Sequence, residues 1–116
     1  MQLTIDSPSV LICTLPVDFR KSIDGLVAVV ESEWGSDPRS SIFVFHNRAR
    51  DRVKILAWHK NGFVLLLKRL EKGQFCRVVS DENAISMNPQ QLAWLLAGLD
   101  WVRLSEWGEL EFGDFR

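Results

Sequence analysis

Three apolar runs follow one another closely between residues 42 and 70, and only short polar breaks separate them. Residues 42–46 (Ile-Phe-Val-Phe-His) put Phe43 and Phe45 on one face and Ile42 and Val44 on the other. A polar turn at 47–51 leads into a second run at 52–58, and Asn61-Gly62 separates that from a third at 63–70. Breaks this short cannot carry a crossover, so neighbouring runs must pair antiparallel as a meander. Asn-Gly is the strongest short hairpin signal, since a type I′ turn needs positive φ at both central residues. Both residues are therefore expected there, and residues 75–79 could continue the sheet.

The flanks read as helical. The stripe Phe19, Ile23, Leu26, Val27, Val30 and Trp34 lies on one face of a helix over 19–34. Asp18 is its expected N-cap and Gly35 its C′ residue, with Asp37-Pro38 beyond. Gly25 within it calls for a close neighbour. Asn88-Pro89 starts a second helix with Leu92, Leu95, Leu96 and Leu99 as its stripe and Gly98 near its end. Residues 10–14 form a short apolar strand or extended segment before Pro16. The expected fold is α+β: one domain over 1–116, an antiparallel meander sheet with two helices packed on it. Residues 101–116 read as a loosely packed acidic-aromatic tail, with Trp107 exposed and Trp34 and Trp58 largely buried.

Charge along the chain is segregated. Residues 39–77 hold ten Lys and Arg against Asp51 and Glu71, a net of +8. Residues 1–38 carry −4 and residues 78–116 carry −5, so the overall −1 conceals a basic middle. Such a middle either meets a polyanion or is balanced by the chain's own acidic ends. With the turn at Asn61-Gly62, Lys54 faces Arg69 and Arg52 faces Glu71 across the hairpin. A longer loop brings Arg52 to Arg69 instead. Either register sets two cations side by side, an arrangement an overlying phosphate would relieve. Arg48, Arg50, Arg52, Lys54, Lys68 and Arg69 are therefore the expected nucleic-acid contacts, with positioning contacts to phosphate rather than base readout. Arg20, Lys21 and Arg77 are the next candidates.

Little else in the chain suggests chemistry. Cys13 and Cys76 lie far apart without metal-ligand spacing and read as buried free thiols. His46, Asp51 and His59 could make a metal site, but no HxH or HExxH spacing supports it. No phosphate loop or catalytic triad pattern is present, so the expectation is no enzyme, no metal and no cofactor. No leader pattern and no run of about 20 apolar residues appears, so a cytoplasmic protein with no membrane partner is expected.

The motif series itself is distinctive. It runs Phe19-Arg20-Lys21-Ser22-Ile23-Asp24-Gly25-Leu26, Ile42-Phe43-Val44-Phe45, Asn47-Arg48-Ala49-Arg50-Asp51-Arg52-Val53-Lys54-Ile55-Leu56-Ala57-Trp58, Asn61-Gly62-Phe63, Lys68-Arg69-Leu70-Glu71 and Gly73-Gln74-Phe75. With Gln91-Leu92-Ala93, Leu95-Leu96 and Gly98-Leu99-Asp100-Trp101, it resembles the second-open-reading-frame accessory proteins of insertion-sequence-66-type transposons, often called transposase B. The similarity spans about residues 16–103. It departs where the family often has Trp-Pro after Gly-x-Phe, Arg in place of His46 and Asp in place of His59. The resemblance implies a bacterial mobile-element protein that works beside a separate large transposase, which carries the catalytic acidic triad. Element DNA and that transposase are the implied partners. The leading expectation is a non-enzymatic accessory touching DNA through the basic hairpin; the alternative is a module that binds the transposase without DNA contact.

Overall fold

The computed structural model describes residues 9–106. Its centre is a five-stranded sheet built from β1 (Val10–Cys13), β2 (Ile42–His46), β3 (Arg52–His59), β4 (Gly62–Arg69) and β5 (Ala84–Met87). The strands lie in the order β4-β3-β2-β1-β5. β2, β3 and β4 form the expected antiparallel meander, and β1 joins it. β1 runs parallel to β2 (Val10 beside Ile42), because a helical crossover connects them. β5 closes the far edge antiparallel to β1.

Alternation along the strands splits the core into two layers. On one face Cys13, Phe43, Phe45 and Leu56 pack under Leu26, Val29 and Val30 of the first helix. On the other, Val10, Ile12, Val44 and Val53 meet Leu95 of the second helix, together with Phe75, Val78, Met87 and Trp101. Each large apolar side chain withdrawn from water contributes roughly 1.5–3 kcal/mol. The sheet is thus the middle of three layers, and it cannot slip by one residue without exposing both clusters.

The first helix is shorter than its stripe. α1 covers Ile23–Ala28 and widens into a π-helical turn over Val29–Glu33. Ser22, not Asp18, is its N-cap. The Asp18 carboxylate is already occupied by the backbone N–H and guanidinium of Arg20, so it closes a turn one step earlier. The widened turn ends where the Trp34 N–H donates to the Val29 carbonyl, and this places Trp34 against Phe43 and Phe45 at ring separations of 5.7 and 5.6 Å. Gly35 follows with φ 63, as the stop signal requires. The close neighbour of Gly25 is the Lys21 side chain, whose Cβ would stand 3.0 Å from an added methyl.

α2 (Pro89–Leu96) has a full capping box: Asn88 accepts from the Gln91 N–H, and the Gln91 side chain accepts from the Asn88 N–H. It ends in a Schellman turn. Gly98 (φ 78) donates to the Leu95 carbonyl and Leu99 to that of Trp94. Of the expected tail, residues 101–106 are helical and Trp101 is buried in the core. Trp107 and the remainder lie outside the described residues. Trp34 and Trp58 are half-buried rather than fully enclosed.

Two other expectations change. Residues 75–79 are not a strand; Phe75 and Val78 reach the core from irregular backbone. The additional strand is β5 instead. The hairpin turn also moves. His59 pairs with Gly62, so the turn is Lys60-Asn61, and only Lys60 has positive φ (55). The Asn61 N–H closes it onto the His59 carbonyl at 2.6 Å. The register shift is two residues, so every side chain keeps its expected face.

Candidate nucleic-acid interface

The turn between β2 and β3 is organised by Asn47. Its Oδ1 accepts from the N–H groups of Asp51 and Arg52, both at 3.1 Å, and its Nδ2 donates to Asp51 Oδ1 at 2.6 Å. The Arg50 N–H donates to the Asn47 carbonyl, and Arg50 itself sits at φ 58. Left-handed backbone at a residue other than Gly or Asn is uncommon, and its persistence means the surroundings enforce it. Those surroundings are residues 70–75. Leu70 donates to the Asp51 carbonyl, Phe75 to that of Arg50, and the Gln74 side chain to that of Ala49. The motifs around Asn47-Arg52 and Gly73-Phe75 are therefore one structural unit.

This unit forms one wall of an open cleft of about 490 Å³ lined by Arg48, Arg50, Arg77 and His46, with residues 14–16 and 78–80. No Asp or Glu among the described residues lines it. Arg48 also lines an adjoining cleft of about 570 Å³ with Arg20, Asn47 and residues 16–19. The carboxylate in that second cleft, Asp18, is held by Arg20 at 2.7 Å. That contact and the Arg20 backbone N–H lower its pKa to about 2, so it is ionised and already partnered at neutral pH.

The six expected contact residues divide into three groups. Arg48 and Arg50 line the cleft. Lys54 and Lys68 do not; both amines bond backbone carbonyls, Lys54 those of the turn before α1 and Lys68 one at the end of α2. Lys54 Nζ donates to the carbonyls of Phe19 and Lys21 (2.9 and 2.7 Å) and lies over the Phe19 ring. Lys68 Nζ donates to the Leu96 carbonyl at the C-terminus of α2, where a cation also complements the helix dipole. Arg52 and Arg69 form the third group. They stand directly opposite in the hairpin, so the cationic pair is Arg52–Arg69 and not Lys54–Arg69; Lys54 faces Leu67. Arg69 turns to Glu71, with two contacts of 3.1 Å, and this partner raises its pKa. Arg52 remains exposed. Arg77, a reserve candidate on sequence, joins the cleft because Phe75 and Gln74 anchor its loop beside Arg50.

Among the described residues, no acidic side chain forms an ion pair with Arg48, Arg50 or Arg77. The three ion pairs of the described residues, Asp18–Arg20, Asp37–Arg39 and Arg69–Glu71, each join residues two apart. His46 and His59 end antiparallel neighbours, so they lie at opposite ends of the sheet: His46 is beside Val53 and His59 beside Gly62. About six strand steps, on the order of 20 Å, separate them. Asp51 is engaged by Asn47, and no group of three His, Cys, Asp or Glu among the described residues is placed to hold a metal ion. Cys13 is buried and Cys76 half-buried, and burial raises the pKa of both thiols. No described helix is long and apolar enough to cross a membrane.

Comparison with known proteins adds an independent finding. A family model described as IS66 Orf2-like protein matches residues 8–106. An uncharacterized protein of Sinorhizobium fredii, y4jC, is 40% identical over 96 residues, 82% of each chain. A second from the same organism, y4hO, is 32% identical over 93 residues, 79% of this chain and 81% of that one. No solved structure matches.

Proposed function

The chain belongs to the IS66 Orf2-like family, whose role is accessory to transposition rather than catalytic, and from that premise we propose that it grips the phosphate backbone of element DNA with the cleft formed by Arg48, Arg50 and Arg77. One observation carries this reading: three arginines from two distant segments line one open cleft, and no Asp or Glu among the described residues lines it with them. Guanidinium groups match phosphate oxygens in bidentate geometry, and such contacts position a protein on DNA without reading sequence. Arg52 continues the surface along the hairpin, while Arg20 lines the adjoining cleft paired with Asp18. Lys54 and Lys68 support the fold instead.

The experiment is a salt titration of binding to duplex DNA from the element's ends. Removing one phosphate-binding side chain lowers the log-affinity versus log-salt slope by roughly 0.9. Replacing Arg48, Arg50 and Arg77 by Ala lowers it for all three, across sequences alike. The Lys54→Ala/Lys68→Ala double variant leaves the slope unchanged. Native protein that fails to bind at low salt removes DNA from the account and favours the alternative, a module that docks on the large transposase.

A further inference from the structure

The two edges of the sheet are not equally protected. β5 is a four-residue strand, too short to template much pairing. β4, at the other edge, is eight residues long and pairs with β3 in unbroken register from Arg52–Arg69 to His59–Gly62. Its first six residues, Gly62 to Leu67, contain no charge and no proline. Leu66 and Leu67 point to opposite faces and are 50% and 60% exposed. Backbone hydrogen bonding among the described residues gives β4 no strand partner but β3. Edge strands are ordinarily guarded by lysine, proline, a bulge or a covering element. Here Lys68 is drawn across the sheet to the Leu96 carbonyl and Arg69 is turned to Glu71, so both cations that could guard the edge are committed within the subunit.

We propose that β4 is a dimer edge, pairing antiparallel with β4 of a second copy about a two-fold axis at Leu66. The segment from Phe63 to Arg69 is self-complementary about that point. Leu66 meets its own image, Leu65 meets Leu67, Val64 meets Lys68, and Phe63 meets Arg69. Such pairing is isologous and closes at two subunits. Charge selects the direction. A parallel, in-register partner stacks Lys68 and Arg69 on their own images, whereas the antiparallel one sets each cation opposite an apolar residue. Leu66 is then covered by its own image and Leu67 by Leu65 of the second copy, and the joined sheet has ten strands.

Sedimentation and cross-linking of the full chain test this. Native protein is expected at twice its 13.3 kDa mass. The Leu66→Lys/Leu67→Lys double variant is expected to be monomeric, with self-association weakened roughly 30-fold or more, the scale of truncating central interface residues. Its circular dichroism should match native protein, since both positions are exposed in the subunit. A second variant does not depend on losing assembly. Leu66→Cys should form a reducible dimer under mild oxidation, because directly opposed residues place Cα atoms about 4.5–5.5 Å apart, within disulfide reach. Native protein, with Cys13 buried and Cys76 half-buried beside Asp100, should not. A monomeric native protein overturns the proposal. So does a dimer that survives the double variant while Leu66→Cys fails to link, which places the contact elsewhere.

Discussion

The turn between β2 and β3 is held by a side chain and by a second loop, whereas the turn between β3 and β4 is held by almost nothing beyond its own backbone. Asn47 satisfies three polar groups of the first turn, and residues 70–75 bond to its outer edge. The second turn is two residues, Lys60 and Asn61, both exposed. Each turn has one non-glycine residue in left-handed backbone, Arg50 at φ 58 and Lys60 at φ 55. At Arg50 the surroundings enforce the conformation and aim the residue into a cationic cleft. At Lys60 the conformation is the geometric cost of a tight reversal. The same backbone oddity thus has a site at one end of the sheet and no more than a reversal at the other.

Removing Asn47 should break this contrast most severely. Asn47→Ala leaves the Asp51 and Arg52 N–H groups without their acceptor and should destabilise the fold by about 2–3 kcal/mol, from roughly 1 kcal/mol per hydrogen bond removed in a half-buried turn. Urea unfolding measures it. The parallel change at the other turn, Asn61→Ala, should alter stability by less than about 0.5 kcal/mol, as surface substitutions do. Equal effects at the two positions would mean that the turns are not differently built.

Legibility in the sequence follows the same division between local and distant causes. α2 is readable because its cap, first-turn proline and terminal glycine are all local signals within residues 88–98. β2 and β3 are readable from alternation. β5 is not, because Ala84-Ile85-Ser86-Met87 is short and its partner β1 lies some 70 positions earlier, so no local pattern announces it. Residues 75–79 mimic a strand because Phe75 and Val78 are core residues, and burial does not require regular backbone. Asp18 mimics a cap because nothing in the sequence shows that Arg20 claims its carboxylate. The cationic character of residues 48–52 is legible; its meeting with Arg77 is not, since it depends on a loop crossing. Lys54 and Lys68 read as free cations in the sequence because charge counts do not reveal that their amines bond backbone carbonyls at Phe19, Lys21 and Leu96.

A smaller effect should separate stability from binding at the first turn. Arg50→Gly removes the side chain from left-handed backbone and should raise stability by up to about 1 kcal/mol, because glycine adopts that region without steric cost. The same change should lower the salt slope of DNA binding by about 0.9 if Arg50 contacts phosphate. Gain in one measurement with loss in the other marks a residue kept strained for its function. A variant that loses stability would show instead that the Arg50 side chain braces the turn.

The smallest expected effect decides the hairpin register. Were Asn61-Gly62 the turn, Gly62 would need positive φ, and Gly62→Ala would cost on the order of 1 kcal/mol or more. In the observed register Gly62 is the first residue of β4, opposite His59, and lies outside the left-handed region. A methyl built on it meets no atom within 4 Å. Alanine there loses no contact and reduces the freedom of the unfolded chain, which stabilises by roughly 0.4–1 kcal/mol where the backbone is compatible. Thermal unfolding of Gly62→Ala should therefore match or slightly exceed native protein. A clear drop would restore the turn to Asn61-Gly62 and shift every cross-strand pair by two. It would part Arg52 from Arg69 and set Lys54 opposite Arg69. The Asn47 contacts inside the β2–β3 turn would persist, but the bond from Leu70 to the Asp51 carbonyl, which continues the same register, would be lost.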